Sequence, residues 1–267
     1  MSACRFCSAI SSSLILLIFV GIFFSCDNAN ADQSIDLTVA VAANAQFAME
    51  EIEHAFEEET QKNIEIIIGS SGKLTAQIKQ GAPYDLLVAA NMKYPAYLYE
   101  EGLTKQKPMV YALGELVLWT MDEMLDLNAT DLSILTQSAI QKIAIANPRN
   151  APYGEQAINV LNYYQLKEKL QPKLVFGESI AQTNQYITTR NCEVGFTAES
   201  VVLAPKLKDK GQWIPIANEA YQLIEQGGVI TKYGVKEHPV VAQQFYDFLF
   251  STTAQRIFQD YGYTIPN

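Results

Sequence analysis

Short apolar runs alternate with amphipathic segments along most of the chain. The predicted strands are 37–42, 64–68, 86–89, 116–119, 143–146, 174–176 and 194–197. Apolar residues at helical spacing predict helices at 45–60, 73–80, 153–166 and 180–189, with a further helix or pair of helices within 239–261. This alternation predicts an α/β fold, in which mostly parallel sheets are covered by helices on both faces.

Four of the predicted strands stop at small or polar residues, and a helix begins at once. These junctions lie at Asn44, at Ser70 and Ser71, at Pro152 and Tyr153, and at 177–182. Asn44 is expected to be a helix N-cap. The first N–H groups of a helix lack backbone partners and lie at the positive end of its dipole, which favours an anion. Since ligands bind beyond the carboxyl ends of such strands, the junctions are expected to converge on one cleft.

The chain is long enough for one large domain or for two smaller ones. It contains no internal repeat and no long linker rich in Pro or Gly. The only candidate boundaries are the short crossings near 113–115 and 217–228. They predict a discontinuous first lobe, 32–113 with 228–267, and a second lobe, 114–227, with two of the four junctions in each lobe.

The N-terminus predicts export from the cytoplasm. Arg5 precedes a nearly unbroken apolar run, 14–24, which is shorter than a membrane span, and Ala29-Asn-Ala31 has the small residues of a cleavage site. We therefore interpret residues 1–31 as a secretory signal. A lipoprotein signal ending at Cys26 is the alternative, although the bulky residues before that cysteine disfavour it.

Composition excludes several classes of protein. Acidic residues outnumber basic ones by 29 to 19, and no basic run or zinc-finger spacing occurs, so nucleic acid is not an expected partner. Three of the four cysteines fall in the predicted leader. The remaining one, Cys192, cannot form a disulfide within the mature chain and is expected to be a buried structural thiol.

Two other functions, catalysis and the binding of ferric iron, are suggested by only a few residues. An enzyme needs a nucleophile with a base, but the only histidines, His54 and His238, have no supporting motif, and we predict no catalysis. A ferric-iron-binding protein is suggested by the adjacent Tyr163 and Tyr164. Their place late in a predicted helix favours ordinary packing instead.

The sequence resembles the substrate-binding proteins of bacterial molybdate ABC importers over essentially the whole mature chain. The motifs that carry the resemblance are Ala42-Ala-Asn-Ala45, Ser70-Ser-Gly-Lys-Leu74, Gln80-Gly-Ala-Pro-Tyr-Asp85, Asn147-Pro148 with Pro152-Tyr-Gly154, Glu193-Val-Gly195 and Tyr261-Gly-Tyr-Thr-Ile265. The resemblance implies a two-lobed periplasmic-binding-protein fold of type II, which closes on a tetrahedral dianion. It also implies a periplasmic monomer without a cofactor, whose partners are the oxyanion and a membrane permease.

The resemblance also implies a set of ligand-binding residues. Ser71 matches a serine that binds an oxyanion oxygen through its hydroxyl and N–H groups, and Ile180 matches a valine that uses its N–H. Asn44 and Ala43 are expected to donate backbone N–H groups. Tyr153 is expected to donate an N–H or a hydroxyl hydrogen bond. The molybdenum atom itself is expected to be held only through its oxygens, by these same five residues.

One position departs from the family. Ala198 stands where one branch of the family has a ligand-binding tyrosine, so Tyr153 is expected to supply the missing hydroxyl. None of the predicted ligand residues is charged, and Lys73 and Arg149 are expected to lie near the site without binding. Molybdate and tungstate are nearly the same size, and sulfate remains an alternative ligand for the same fold.

Overall fold

The computed structural model describes residues 34–127 and 132–266. The predicted secretory signal, 1–31, and the alternative lipid-anchor residue Cys26 lie outside the described residues. Within the described ranges, no helix combines the length and the apolar character needed to cross a membrane.

The first sheet has five strands in the order β2-β1-β3-β10-β4. β1 is parallel to both β2 and β3, and β10 is antiparallel to β3 and β4. Four of the five strands therefore run in one direction. Their bounds are β1 Leu37–Ala42, β2 Ile64–Gly69, β3 Leu86–Ala89, β4 Met109–Gly114 and β10 Ile224–Ile230.

The second sheet has the order β7-β6-β8-β5-β9. β6 is parallel to β7 and β8, while β5 is antiparallel to β8 and β9. The two sheets thus have the same plan, with one antiparallel strand in each. The bounds are β5 Leu116–Thr120, β6 Ile143–Ala146, β7 Leu174–Gly177, β8 Val194–Ala198 and β9 Gln212–Pro215.

Ten α-helices cover the sheets within the described residues, and a 3₁₀ turn, Ala43–Ala45, leads into the first. The helices are α1 Gln46–Thr60, α2 Ser71–Lys79, α3 Lys93–Glu100, α4 Pro152–Tyr163, α5 Lys167–Leu170, α6 Ile180–Thr188, α7 Glu199–Val202, α8 Lys232–Glu237, α9 Pro239–Phe248 and α10 Thr252–Asp260.

Helices on both faces of the first sheet explain why its central strands are apolar throughout. In β1, Val39 and Val41 pack with Phe56 of α1 and Phe245 of α9, while Ala40 packs on the opposite face with Leu74 of α2. Successive side chains of a strand point to opposite faces, so a strand buried on both sides loses the alternation of polar and apolar residues. The predicted α/β class with mostly parallel strands is confirmed.

The chain passes between the sheets at two places. It crosses once at Glu115, between β4 and β5, and again between Pro215 and Ile224. Glu115 lies within the candidate boundary 113–115, and the division into two lobes at these positions stays a prediction. The second sheet ends earlier than the predicted lobe boundary at 228, because β10 already belongs to the first sheet from Ile224 onward.

Several elements have no counterpart among the predicted ones. They include three strands, β4, β9 and β10, and the helix α3. β10 carries Glu225, Gln226 and two glycines, so its sequence has neither an apolar run nor a regular alternation. It forms a strand because the first sheet pairs it on both sides and a buried network satisfies Gln226.

Candidate functional site

Four helix N-termini meet between the two sheets. The 3₁₀ turn before α1 follows β1, and α2 follows β2 after one residue, Ser70. In the second sheet α4 follows β6, and α6 follows β7. Since β1 pairs with β2 and β6 pairs with β7, each sheet brings two carboxyl ends, and hence two helix starts, side by side.

A small cavity lies where these N-termini meet. Its atom-free volume, which includes the part open to solvent, is ≈ 190 Å³. All five residues predicted as ligands line it and are buried, and none of the lining residues is charged. The lining consists of Ala42, Ala43, Asn44, Gly69, Ser70, Ser71, Ala90, Ala151, Pro152, Tyr153 and Ile180.

Several of the residues that line this cavity can offer hydrogen-bond donors. Ala43, Ser71, Tyr153 and Ile180 belong to the first turns of their helices, where backbone N–H groups lack intrahelical partners. The hydroxyl oxygen of Ser71 accepts a hydrogen bond from the N–H of Ala90 at 2.9 Å. That hydroxyl can therefore give its own proton to a group in the cavity. The positive ends of four helix dipoles also lie at the cavity, and they favour the binding of an anion there.

Asn44 is not the N-cap that the sequence predicts. The Asn44 side chain makes no capping hydrogen bond, and the residue lies inside the 3₁₀ turn. Its amide nitrogen donates to Oε1 of Gln226 at 2.7 Å and to the hydroxyl of Tyr263 at 3.1 Å. The side chain is thus engaged elsewhere, and the backbone N–H is the group that Asn44 can offer to the cavity.

Ser70 lines the cavity and is absent from the predicted ligand set. It precedes α2 in the N-cap position, yet its side chain makes no capping hydrogen bond. The hydroxyl is buried, and it has no hydrogen-bond partner among the residues that the structure describes. The sequence shows the two adjacent serines, but it suggests that Ser70 is an ordinary helix cap. Only the side-chain conformation in the structure shows that the Ser70 hydroxyl does not cap α2.

A buried polar network lies next to the cavity and joins the two sheets. Gln226 of β10 is its centre, because Oε1 also accepts from the hydroxyl of Tyr111 at 2.9 Å. The Nε2 group of Gln226 donates to the hydroxyl of Tyr153 at 3.3 Å. Ser200 donates to the carbonyl of Asn44 at 2.8 Å. Residues from both sheets therefore hold the two cavity residues Asn44 and Tyr153.

The tyrosines of this network stay protonated at neutral pH. Burial raises the pKa of Tyr153 and of Tyr111 well above its ordinary value, and burial also raises the pKa of Tyr263. Their hydroxyls are therefore neutral and keep a proton to donate. The Tyr153 hydroxyl lies so close to Gly114 that a Cβ at this position would clash with it, which explains why a glycine ends β4.

Three contacts join the rims of the cleft. The N–H of Gly72 donates to the carbonyl of Asn150 at 2.9 Å, and the hydroxyl of Tyr94 donates to the carbonyl of Arg149 at 3.3 Å. The ammonium of Lys73 lies 3.3 Å from a carboxylate oxygen of Glu178. The structure is therefore that of a closed cleft.

Neither Lys73 nor Arg149 lines the cavity. Lys73 is exposed over about half of its side chain and pairs with Glu178. Arg149 lines a separate surface groove together with Lys167 and Phe176. Their positions agree with the expectation that both lie near the site without belonging to it.

The residues behind the rival functions lie away from the cavity. Tyr163 ends α4, whose N-terminus is at the cavity, so it lies roughly 15 Å further along that helix. Its ring packs edge to face on Tyr164 with centroids 5.1 Å apart. Among the described residues, no three His, Cys, Asp or Glu side chains form a group that could hold a metal ion. His54 is exposed on α1, and His238 pairs with the buried Asp85 at 2.9 Å.

Comparison with known proteins identifies the family. The model of the family described as bacterial extracellular solute-binding protein matches residues 37–264. The chain belongs to this family. Its members bind solutes and are not classed as enzymes, and the match agrees with the fold found here.

Two curated relatives and one solved structure are similar over most of the chain. The molybdate-binding protein ModA of Rhodobacter capsulatus is 34% identical over 85% of this chain and 88% of its own length. That of Azotobacter vinelandii is 36% identical over 87% and 91%. The structure of the Azotobacter vinelandii periplasmic molybdate-binding protein superimposes with a TM-score of 0.82 at 31% identity, covering 86% of this chain and 100% of that one. The predicted two-lobed periplasmic-binding-protein fold is confirmed.

Proposed function

We propose that the chain is an extracytoplasmic binding protein that captures molybdate, and also tungstate, and delivers it to the permease of an ABC transporter. The observation that carries the proposal is the closed, uncharged cavity at which four helix N-termini meet. Relatives at 34% and 36% identity are named molybdate-binding proteins. Molybdate is a dianion with four acceptor oxygens, and a cavity of donors matches that chemistry.

The proposed ligand contacts are the backbone N–H groups of Ala43, Asn44, Tyr153 and Ile180, with the hydroxyl and N–H of Ser71. Each of these residues is buried and lines the cavity. The molybdenum atom is held only through its oxygens, so no side chain acts as a metal ligand. No further cofactor belongs to the proposal.

A cavity of donors selects for anions that carry no proton. Phosphate keeps one proton at neutral pH, and that proton needs an acceptor when it is buried. The cavity lining has no carboxylate to accept it, and in this proposal its serine hydroxyl donates to the anion. A buried unsatisfied group costs about 1–3 kcal/mol, so phosphate is expected to bind far more weakly than molybdate.

The rest of the proposal concerns location and partners. Export by the signal at 1–31 places the mature chain in the periplasm, with a lipid anchor at Cys26 as the alternative. The chain acts as a monomer that meets only its oxyanion and the membrane permease. An acidic protein with a formal net charge of -10 holds its anion by local dipoles and hydroxyls, so overall charge makes no contribution to this site.

Calorimetry against a panel of oxyanions tests the proposal. The mature chain, from Asp32 onward, is freed of bound anion by unfolding and refolding before titration. We expect tight binding of one molybdate or one tungstate per chain, and far weaker binding of sulfate and phosphate. Equal affinity for sulfate would assign the chain to the alternative class of sulfate receptors.

A ferric-iron titration separates the second alternative. We expect Fe³⁺ to leave both the heat of molybdate binding and the tyrosine absorption unchanged. Iron-dependent absorption that disappears in Tyr163→Phe would support a ferric-iron-binding protein and contradict the proposal.

A further inference from the structure

Ser70 presents a buried hydroxyl that has no hydrogen-bond partner within residues 34–127 and 132–266. Ser70 is only 4% exposed, and it lines the cavity. No described residue lies within hydrogen-bonding distance of its oxygen in suitable geometry. Buried hydroxyls in folded proteins are nearly always paired, so an unpaired one at a cavity wall calls for a ligand.

The side chain of Ser70 does not adopt the conformation of a helix cap, although its backbone does. Ser70 and Ser251 both precede a helix with extended backbone angles, φ −78° and ψ 146° against φ −71° and ψ 158°. The hydroxyl of Ser251 accepts from the N–H of Ala254 at 3.2 Å, which is the usual cap. Ser70 has the backbone of a cap, but its hydroxyl forgoes that hydrogen bond. The capping energy of α2 is therefore given up in this conformation.

The surroundings of Ser70 determine what its hydroxyl does. The hydroxyl oxygen of its neighbour Ser71 accepts from the N–H of Ala90, and its proton is free to be donated to the cavity. Ala43, Tyr153 and Ile180, which also line the cavity, lie in first helical turns, where backbone N–H groups lack intrahelical partners. A hydroxyl that finds no acceptor in the described part of the chain and belongs to the wall of an uncharged cavity is suited to donate to a bound anion.

We propose that the hydroxyl of Ser70 is a further direct ligand of the oxyanion and donates a hydrogen bond to one of its oxygens. The junction between β2 and α2 then contributes two adjacent hydroxyls, those of Ser70 and Ser71. This inference rests on the proposed function, because it needs an anion in the cavity. It explains both the buried unpaired hydroxyl and the missing cap of α2.

The test compares Ser70→Ala with a matched cap variant, Ser251→Ala. Molybdate affinity is measured by calorimetry, and the stability of the ligand-free protein is measured by urea unfolding. We expect Ser70→Ala to bind molybdate about 10- to 100-fold more weakly, the usual loss for one hydrogen bond to a charged group. Its ligand-free urea midpoint is expected to stay the same or rise, since an unsatisfied polar group is removed. Ser251→Ala is expected to do the opposite, with a lower midpoint and an unchanged affinity.

A second variant guards against a nonspecific effect of the smaller side chain. Ser70→Cys nearly preserves the shape of serine but replaces a strong donor with a weak one. Its affinity is expected to lie between those of the parent and Ser70→Ala. If both Ser70 variants bind within twofold of the parent, the inference is wrong, and a lowered midpoint would then identify Ser70 as an ordinary cap. If the parent itself binds no molybdate, the proposed function fails instead.

Discussion

The hydroxyls of Ser71 and Tyr153 have different neighbours, although both residues line the same cavity. Ser71 receives a hydrogen bond from a backbone N–H at the end of β3, so its position is tied to the sheet. Tyr153 receives one from the side chain of Gln226, which also binds Asn44. Loss of the Ser71 hydroxyl should therefore affect the ion directly, whereas the Tyr153 hydroxyl acts first on the network.

Tyr153→Phe separates these two roles of a cavity residue. We expect the free energy of unfolding of the closed, molybdate-bound protein to fall by about 1–2 kcal/mol, because Nε2 of Gln226 is left buried without its acceptor. We expect affinity for molybdate to fall by less than about tenfold, because the backbone N–H of Tyr153 remains in place. Urea unfolding measures the change in stability, and calorimetry measures the change in affinity for molybdate.

Tyr111→Phe is the matched control, since its hydroxyl also binds Gln226 but the residue does not line the cavity. It should lower stability and leave affinity unchanged. A large loss of affinity in Tyr153→Phe with unchanged stability would show that the hydroxyl touches the ion, as expected if Tyr153 replaces the hydroxyl missing at Ala198.

At the scale of elements, α2 and α6 face each other across the cleft. Their starts carry Lys73 and Glu178, whose charged groups lie 3.3 Å apart, while Gly72 and Asn150 are joined by a backbone hydrogen bond. These contacts exist only when the two lobes meet. They stabilise the closed cleft from the rim, whereas the network at Gln226 stabilises it from within.

Neutralising the rim ion pair should weaken molybdate binding only slightly. Both side chains are more than half exposed, and exposed pairs contribute up to about 1 kcal/mol, so Lys73→Gln should cost less than about fivefold in affinity at low salt. At ~1 M salt, where the Debye length is about 3 Å, the loss should disappear. Calorimetry at two salt concentrations measures both effects.

Two further variants distinguish a rim pair from a ligand. Exchanging the charges in Lys73→Glu with Glu178→Lys should restore most of the affinity lost in either single variant. Arg149→Gln should only slow association at low salt, because its guanidinium has no ion-pair partner among the described residues. A tenfold or greater loss at high salt for either cation would instead place that residue on the ion.

At the scale of the whole molecule, closure is what completes the cavity. Ala43, Asn44, Ser70 and Ser71 come from the first sheet and its helices, while Tyr153 and Ile180 come from the second. Neither half surrounds an ion alone. The chain crosses between the halves twice, at Glu115 and after Pro215, which is the connection expected for hinge motion.

Small-angle scattering should detect this closure in solution. We expect the radius of gyration of the anion-free mature chain to decrease when molybdate is added, because the ion favours the closed state. Sulfate at the same concentration should leave the radius unchanged and serves as the control. An identical radius with and without molybdate would indicate that the cleft is already closed before the ion binds.

The sequence by itself determined the fold class and the place of the site. Both follow from local pattern: apolar runs predict β1, β2, β6 and β7, and the small polar residues after them predict the helix starts. The five residues expected at the ion do line one cavity, although their contact with an ion remains a prediction. Sequence neighbours determine where a strand ends and a helix begins, so this information lies within a few residues.

Only the tertiary structure decided how the side chains are used. Asn44 has the sequence position of a cap, but its amide binds Gln226, which is 182 residues away along the chain. β10 has no strand pattern and is held by its neighbours and by the network. Ser70 resembles a cap in sequence and in backbone, yet no residue that the structure describes is a partner for its hydroxyl at the cavity wall. Rotamers and partners far apart in the chain are set by packing between elements, and local sequence does not contain that information.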